Sequence, residues 1–204
     1  MRALKTKTDK LTALINRQTL VRSRDLKRLS IPHIYLTRFV KTGLLVKLQR
    51  DLYTSAHSKS ELTEHQSLQE VSLTVPKAVI CLLSALRFHE VTTQNPHEVW
   101  VAIDVKSWTP AISYPPIRWV RLSGRALEFG IREHIIDGVR IRVYSPAKTV
   151  ADCFKFRNKI GLDIAIEALR EVYRQKKATT DELWEAAKVC RVSKVMLPYM
   201  ESLV

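Results

Sequence analysis

The sequence has few of the residues, and none of the motifs, on which common enzyme active sites are built. Only five glycines occur in 204 residues, which leaves little room for a glycine-rich loop that binds nucleotide phosphates. The HExxH, GxSxG and protein-kinase patterns are also missing. These absences argue against the common hydrolases and nucleotide-dependent enzymes. We therefore predict a protein that is not an enzyme and that uses no cofactor.

Cysteine is scarce as well, and its spacing excludes the usual structural roles. Cys81, Cys153 and Cys190 lie far apart, with no CxxC pair and no matching histidine spacing. Such an arrangement is typical of buried, reduced thiols and not of disulfides or zinc ligands. We therefore expect a cytoplasmic protein without a metal site.

Long apolar segments are missing too. The longest clean apolar run, residues 78–83, is far shorter than a membrane-spanning helix, and the basic N-terminus lacks the apolar region of a secretory signal. With 46% hydrophobic and 26% charged residues, the chain has the composition of a globular protein with a real core. We expect no membrane association.

Positive charge is what the chain has in excess, and most of it lies at one end. The net charge is +14, and residues 1–58 contain 13 Lys or Arg against Asp9, Asp25 and Asp51, a net of +10. The remaining residues therefore contribute only +4 (14 − 10). A basic excess concentrated in one small segment indicates a polyanionic partner.

Three short helices are predicted in this basic segment. Thr8 is expected to cap the first helix and Ser23 the second, because Thr and Ser side chains accept hydrogen bonds from free N–H groups at helix starts. Pro32 is well placed as the first residue of the third helix, and Gly43 as its left-handed C-terminal cap.

A basic hairpin follows the third helix. Residues 44–48 and 52–54 have the pattern of two short strands, joined by the polar turn 49–51. Three helices followed by a basic hairpin are the order of a winged helix-turn-helix, in which the hairpin is the wing. We predict this domain over residues 1–56.

The third helix has two different faces. At about 100° per residue, its aromatic and aliphatic residues fall within roughly 140° on one side. The other side carries His33, Ile34, Thr37, Arg38 and Lys41. The first face can pack on the other helices while the second enters a DNA major groove. A solvated polar face is the alternative, but the order of elements and the local charge favour DNA.

The rest of the chain predicts an α+β domain over residues 61–204, after a small polar linker at 55–60. Helices are expected at 61–73 and 77–88, and strands at 99–105, 117–122, 127–136 and 139–144. Asp137-Gly138 is the strongest hairpin turn in the chain. From about residue 146 the pattern is helical.

Few side chains in this second domain indicate chemistry. Ser145-Pro146-Ala147-Lys148 matches a Ser-x-x-Lys nucleophile and base. We interpret Ser145 instead as a helix cap, with Lys148 either pointing to solvent or pairing with Asp152 one turn later. Asp104, Glu128 and His134 are interpreted as solvent-facing strand residues, and Trp108 as an exposed loop residue.

Basic residues gather near the end of the same helix. Lys155, Arg157 and Lys159 lie where the helix dipole favours positive charge. A site for a phosphate or a protein partner is the functional alternative.

Three stretches resemble the AbiEi family of antitoxins, which belong to type IV toxin–antitoxin and abortive-infection (phage-defence) operons. They are LLVKLQRDLYTSA (residues 44–56), LSALRFHE (83–90) and YSPAKTVADCFKFRNKIG (144–161). The wing turn departs from the usual Arg-Gly-x-Tyr of such proteins, because Asp51 replaces the glycine. A carboxylate at this turn weakens the attraction to phosphate.

The resemblance implies a repressor that binds inverted repeats in the promoter of its own operon. It also implies an antitoxin that counters a nucleotidyltransferase-like toxin, which in this family has been described without a stable complex. The expected DNA-binding residues are Arg22, Arg24, His33, Ile34, Thr37, Arg38, Lys41, Lys47, Gln49 and Arg50. The functional candidates in the antitoxin domain are Lys148, Asp152, Lys155, Arg157 and Lys159.

A different class of function stays open beside this interpretation. The protein could be a winged-helix regulator whose second domain senses a ligand, or modifies the toxin or a nucleotide as an enzyme, using Lys148, Asp152 and Lys155. The type of gene next to this one discriminates between these hypotheses.

Overall fold

The computed structural model describes residues 6–17, 20–49, 51–55, 65–110, 112 and 114–203. The chain divides into two compact units, called here the N-terminal unit (residues 1–70 and 136–139) and the C-terminal unit (71–135 and 140–204). The fold is mixed α/β, with helices and two separate sheets.

The N-terminal unit contains three short helices and a small sheet. Its elements are, in order, α1 (Lys7–Arg17), β1 (Leu20–Arg22), α2 (Ser23–Arg28), α3 (Ile34–Lys41), β2 (Leu45–Gln49) and β3 (Leu52–Ser55). The strands form an antiparallel sheet in the order β1-β3-β2. The hairpin β2–β3 follows the prediction, whereas β1 has too few residues for a periodic signal.

A compact apolar core holds these elements together. Residues from all three helices and all three strands contribute, and the fully buried members are Leu11, Val21, Leu26, Ile31, Leu36, Phe39, Leu45 and Tyr53. Burial of such side chains is the main favourable contribution to folding. The predicted inner face of α3 is therefore its core face.

The first two helices begin earlier than predicted. Thr6 and Asp9 exchange reciprocal hydrogen bonds of 3.1 Å between backbone N–H and side chain, so α1 is capped at Thr6 and Thr8 lies inside it. The N-cap of α2 is Arg22, whose N–H donates to Oδ2 of Asp25 at 2.9 Å, and Ser23 is already helical. In both cases an aspartate three residues later selects the boundary, which makes the predicted caps wrong.

The third helix begins later than predicted and ends where predicted. Pro32 lies two residues before α3, in a tighter turn in which Tyr35 N–H donates to the Pro32 carbonyl. At the other end Gly43 has φ +71°. The N–H groups of Gly43 and Leu44 donate to Val40 and Phe39, which is a Schellman cap and confirms the glycine stop.

The C-terminal unit is built on a five-stranded mixed sheet in the order β6-β5-β4-β8-β7. Its strands are β4 (Val79–Ile80), β5 (Val99–Asp104), β6 (Ile117–Leu122), β7 (Ile131–Ile136) and β8 (Val139–Tyr144). Strand β4 is antiparallel to β5 and parallel to β8, while β5 and β6 are parallel. Asp137-Gly138, which belongs to the segment 136–139 counted with the N-terminal unit, is the turn between β7 and β8. Both turn residues have positive φ, which confirms the predicted hairpin.

Helices complete this unit. Helix α4 (Gln66–Thr74) contains the boundary between the units and is followed by α5 (Leu82–Phe88), α6 (Arg125–Glu128) and α7 (Pro146–Lys155). The chain then continues as α8 (Arg157–Ile160), α9 (Leu162–Arg174), α10 (Thr180–Cys190) and α11 (Ser193–Glu201). The helical character predicted from residue 146 is confirmed.

Three predicted boundaries in this unit are wrong or partly untested. The helix predicted at 77–88 contains strand β4, because Val79 and Ile80 are buried in the middle of the sheet between β5 and β8. The strand predicted from 127 begins at Ile131, since residues 125–128 form α6. The helix predicted at 61–73 is seen from Gln66, and residues 61–64 lie outside the described part.

The core of the C-terminal unit lies between the sheet and the helices. It contains residues of β4, β5 and β6 and buried residues of α5, α7, α9, α10 and α11. Cys81, Cys153 and Cys190 are all buried and free, as predicted. In the described part of the chain, none of the helices has the length and apolar character needed to cross a bilayer.

Candidate functional site

The outer face of α3 carries the side chains that were predicted to read DNA. His33, Ile34, Thr37, Arg38 and Lys41 are all exposed, and Ile34 is exposed to 54% despite its apolar side chain. None of the residues of α3 is acidic. Opposite them, Leu36 and Phe39 are fixed in the core, so the outward orientation of this face is imposed by packing.

One aromatic side chain on α3 orients the central arginine of this face. The guanidinium Cζ of Arg38 lies 5.7 Å from the ring centroid of Tyr35, one turn earlier. Tyr35 is itself half-buried against the core. The ring therefore supports the arginine from the protein side by a cation–π contact.

The arginines before α2 differ in exposure. Arg24 is exposed, whereas Arg22 is half-buried at the end of β1. Burial lowers the pKa of the Arg22 guanidinium and the charge of Arg24 lowers it further, while Asp51 and Asp25 act in the opposite direction. Asp51 therefore lies close enough to Arg22 to interact with it electrostatically.

The hairpin β2–β3 presents one described basic side chain. Lys47 is exposed on β2 opposite Tyr53, and the register shifts by one residue between Lys47 and Gln49. Asp51 occupies the turn with φ +66°, in the region that favours glycine. The side chain of Gln49 and the whole of Arg50 lie outside the described part, so their predicted contacts stay predictions.

In the C-terminal unit, Lys148 and Asp152 form a buried ion pair on α7. Nζ of Lys148 lies 2.5 Å from Oδ2 of Asp152, and both side chains are inaccessible to solvent. Ser145 caps α7 and Pro146 is its first residue. The predicted cap and the predicted pairing are confirmed, and the solvent-facing alternative for Lys148 is wrong.

Two neighbours complete the environment of this pair. The ring of Tyr144 lies 4.2 Å from Nζ of Lys148, and the thiol of Cys190 on α10 donates to Oδ1 of Asp152 at 3.3 Å. Burial raises the pKa of Asp152, and the ammonium of Lys148 opposes that increase. The pair thus joins α7 to α10 inside the core and does not face a substrate.

A glycine that the sequence did not single out packs directly on Lys148. A Cβ at Gly130 would lie 2.7 Å from Cβ of Lys148, so no larger residue fits without movement. The Gly130 carbonyl also accepts a hydrogen bond of 2.6 Å from the N–H of Ser145. From the sequence, the only indication of a special role for Gly130 is that glycine is rare in this chain.

The three basic candidates after Asp152 have separate environments. Lys155 and Lys159 are exposed, and Nζ of Lys159 lies 5.6 Å from the ring centroid of Phe156. Arg157 is half-buried and donates to the carbonyl of Phe154 at 2.9 Å. Arg157 thus completes the C-terminal end of α7, while both lysines are accessible to a partner.

The remaining candidates are the tryptophans and the side chains that can bind a metal ion. Trp100 is buried, whereas Trp108 is exposed to 78%. Within the described ranges, His, Cys, Asp and Glu side chains do not gather in groups of three or more that could hold a metal ion. Asp104 and His134 are half-buried and Glu128 is exposed.

A solved structure shares this fold. The crystal structure of the RV2827C protein from Mycobacterium tuberculosis superposes with a TM-score of 0.66, over 98% of this chain and 79% of that chain, at 9% sequence identity. No protein with curated annotation matches the sequence. Residues 9–56 match the family model described as "Transcriptional regulator, AbiEi antitoxin", so this N-terminal segment is similar to members of that family.

Proposed function

We propose that the protein is a sequence-specific DNA-binding antitoxin that represses its own promoter. The observation that carries this proposal is the exposed, acid-free outer face of α3, which is held outward by the buried Leu36 and Phe39. In this reading α1 to β3 form a winged helix-turn-helix, α3 is the recognition helix and β2–β3 is the wing. The family match over residues 9–56 supports the assignment.

The outer face of α3 would read the bases. An arginine forms two hydrogen bonds to the major-groove edge of guanine, and an apolar side chain contacts the methyl group of thymine. Arg38 and the exposed Ile34 suit these two roles. His33, Thr37 and Lys41 would add contacts to base edges or to the phosphates beside them.

The surrounding residues would hold the DNA backbone. Lys47, Gln49 and Arg50 in the wing, with Arg22 and Arg24 before α2, are the proposed phosphate contacts.

The antitoxin half of the proposal concerns the C-terminal unit. Its motifs at residues 83–90 and 144–161 resemble those of type IV antitoxins from abortive-infection operons, and the partner would be a nucleotidyltransferase-like toxin countered with or without a stable complex. The exposed Lys155 and Lys159 are the accessible basic candidates for that role. The operator would be a set of inverted repeats, each bound by one copy of the protein.

Two of the three residues on which the enzyme alternative depends argue against it, while the third, Lys155, is exposed. Lys148 and Asp152 are buried and bonded to one another, so they present no free base or nucleophile at the surface. Calorimetric titration of the full chain with ATP and Mg²⁺ tests this directly. Saturable binding would revive that alternative.

Binding to the protein's own promoter, measured over a series of salt concentrations, tests the proposal. If about six phosphates are neutralised, log K falls with log salt at a slope of about −5 on the promoter duplex. A scrambled duplex of equal length should bind far more weakly. The variant Lys194→Ala, which removes an exposed lysine of α11, serves as the control and should leave affinity and slope unchanged. A flat salt response, or equal binding to both duplexes, would overturn the proposal.

A growth assay tests the antitoxin half separately. Expression of the neighbouring nucleotidyltransferase-like gene should arrest growth, and co-expression of this protein should restore it. We expect Lys155→Glu/Lys159→Glu to weaken the rescue, while Arg38→Ala preserves it. If the neighbouring gene is harmless, or the protein gives no rescue, the antitoxin assignment is wrong even when promoter binding is observed.

A further inference from the structure

The C-terminal unit contains a large cavity that the proposed function does not use. Its volume is about 830 Å³, within the range of small-molecule sites in proteins. The lining is mostly apolar and consists of Thr74, Val75, Pro76, Lys77, Val79, Ile103, Asp104, Ser107, Trp108, Pro110, Leu127, Glu128, Ile131 and Arg142.

Four charged side chains line this cavity, two of each sign. Lys77 lies two residues before the start of β4, and Arg142 belongs to the adjacent strand β8. Asp104 ends β5, and Glu128 ends α6, just before β7. Because the strand order is β5-β4-β8, Asp104 lies on the β5 side of the two cations, and Glu128 belongs to α6, which contacts β5.

None of these four side chains has an ion-pair partner within the described part of the chain. Nη1 of Arg142 donates to the backbone carbonyl of Lys77 at 2.8 Å, which places the guanidinium beside the backbone at Lys77. Oδ1 of Asp104 accepts from the N–H of Lys106 at 2.8 Å. Other arginines of the same unit do pair with glutamate, as Arg140 does with Glu133 at 3.4 Å.

The loop that carries Trp108 is held in place at the mouth of the cavity. Nη1 of Arg121 donates to the carbonyls of Val105 and Ser107, at 2.9 Å each. The indole of Trp108 is nevertheless exposed to 78%. Trp108 and Asp104 line the same cavity, and an exposed aromatic ring and a carboxylate both attract a cationic group.

We propose that this cavity binds a small zwitterionic ligand with an apolar body, of the class of short apolar peptides with free termini. The carboxylate would lie on Arg142 and Lys77, where the guanidinium can donate two parallel hydrogen bonds. The ammonium would lie beside Asp104 or Glu128. The apolar side chains would be buried against Val79, Ile103, Leu127 and Ile131.

The charge pattern distinguishes this class from two others. A nucleic acid or another polyanion would place phosphates beside Asp104 and Glu128, and a like charge at short range is repulsive. A purely apolar ligand would leave four charges without partners at the edge of the site. Only a ligand with charges of both signs satisfies both pairs.

Calorimetric titration of the full chain with the tripeptide Leu-Leu-Leu tests the proposal. Two blocked forms of the same peptide, N-acetylated and C-amidated, each remove one charge and keep the apolar body. We expect saturable binding of the free peptide and a loss of about tenfold in affinity for each blocked form, the loss associated with one charge-assisted hydrogen bond.

Matched variants locate the binding site. Arg142→Gln should lower the affinity for the free peptide about tenfold. It should leave the already weak binding of the C-amidated peptide unchanged, because the guanidinium acts on the carboxylate that this peptide lacks. Asp104→Asn and Glu128→Gln are the two variants at the ammonium end, and at least one of them should weaken binding of the free peptide and leave binding of the N-acetylated peptide unchanged. Arg140→Gln, two residues from Arg142 on the same strand but outside the lining, should behave as the unmodified protein.

Several outcomes would overturn this inference. They are no saturable binding at millimolar peptide, equal binding of free and blocked peptides, or equal effects of Arg142→Gln and Arg140→Gln. The inference does not rest on the proposed DNA-binding function, because every measurement is made without DNA. Either can therefore fail while the other holds.

Discussion

Nζ of Lys148 lies 2.5 Å from Oδ2 of Asp152 on the next turn of α7, and neither side chain reaches solvent. Two opposite charges in a core are tolerated when each satisfies the other, but removal of one leaves the second buried and unpaired. The thiol of Cys190 and the ring of Tyr144 complete the environment of the pair. The Ser-x-x-Lys pattern around Lys148 is thus part of the hydrophobic core.

Loss of one member of this pair should strongly destabilise the protein. We expect Lys148→Met to lower the free energy of unfolding by about 3–5 kcal/mol, because Asp152 is left without its counter-ion. The double variant Lys148→Met/Asp152→Leu should recover most of that loss. Urea unfolding followed by circular dichroism measures both.

A surface pair on α9 provides the control. Arg174 and Glu171 form an ion pair whose arginine is largely exposed, so Arg174→Ala should change stability little. The loss of stability in Lys148→Met/Asp152→Leu could also equal the sum of the losses in Lys148→Met and Asp152→Leu. In that case the interaction between the two side chains does not cause the destabilisation.

Substitution of Gly130 should be destabilising for two separable reasons. An alanine there would be strained by φ +73°, and its Cβ would approach Cβ of Lys148 to 2.7 Å. Gly43 has a similar φ, of +71°, but a Cβ there meets nothing within 4 Å. Gly43→Ala should therefore cost about 1–2 kcal/mol for backbone strain alone, and Gly130→Ala clearly more. Equal losses in thermal or urea unfolding would show that Lys148 does not press on this position.

Two variants of the N-terminal unit should distinguish a residue that recognises bases from one that contacts the DNA backbone. We expect Arg38→Ala to reduce the preference for the promoter over random duplex, corresponding to about 1–3 kcal/mol of base discrimination. Lys47→Ala should weaken binding to both duplexes equally and reduce the slope of log K against log salt by about one. Competition binding at two salt concentrations measures both, and a parallel loss on both duplexes for Arg38→Ala would mean that another face of α3 reads the bases.

The contact between Arg38 and Tyr35 gives this test a finer control. If the ring orients the guanidinium, Tyr35→Leu should reproduce part of the loss of specificity and Tyr35→Phe should not, because phenylalanine keeps the ring face. Identical behaviour of the two variants would assign Tyr35 to packing alone.

The stability of the protein should depend on pH through Glu70 in α4. Burial raises the pKa of this carboxyl to about 7, and the nearby side chain of Gln66 acts in the opposite direction. The folded state then holds a proton that the unfolded state releases near its ordinary value of 4.5. This contribution to stability is therefore lost as pH rises from about 4.5 to 7.

Glu70→Gln should remove that dependence. At pH 8 the urea unfolding midpoint of the variant should be higher than that of the unmodified protein. At pH 4.5 the two midpoints should be equal. Glu201→Gln, at an exposed position of α11, is the control and should shift both midpoints equally. An advantage of Glu70→Gln that is the same at both pH values would contradict the assignment.

Signals contained within a few residues predicted structure well in this chain. The aliphatic and aromatic spacing of α3, the left-handed stop at Gly43 and the turn at Asp137-Gly138 each depend on contacts over at most about five positions. The wrong helix starts at Thr8 and Ser23 are an instructive exception. Thr and Ser are good caps by themselves, but Asp9 and Asp25 form reciprocal bonds that place the boundary elsewhere.

The sequence by itself thus determined the helical and hairpin elements, the amphipathic third helix and the basic segment that contains it, because these follow from local periodicity and charge. The tertiary structure alone decided that Val79–Ile80 is a central strand, that Lys148 is buried under Gly130, and that Lys77, Asp104, Glu128 and Arg142 line one cavity. Each of these relationships joins residues that are distant in the chain. No local pattern carries that information, because burial and pairing are properties of the neighbours that folding provides.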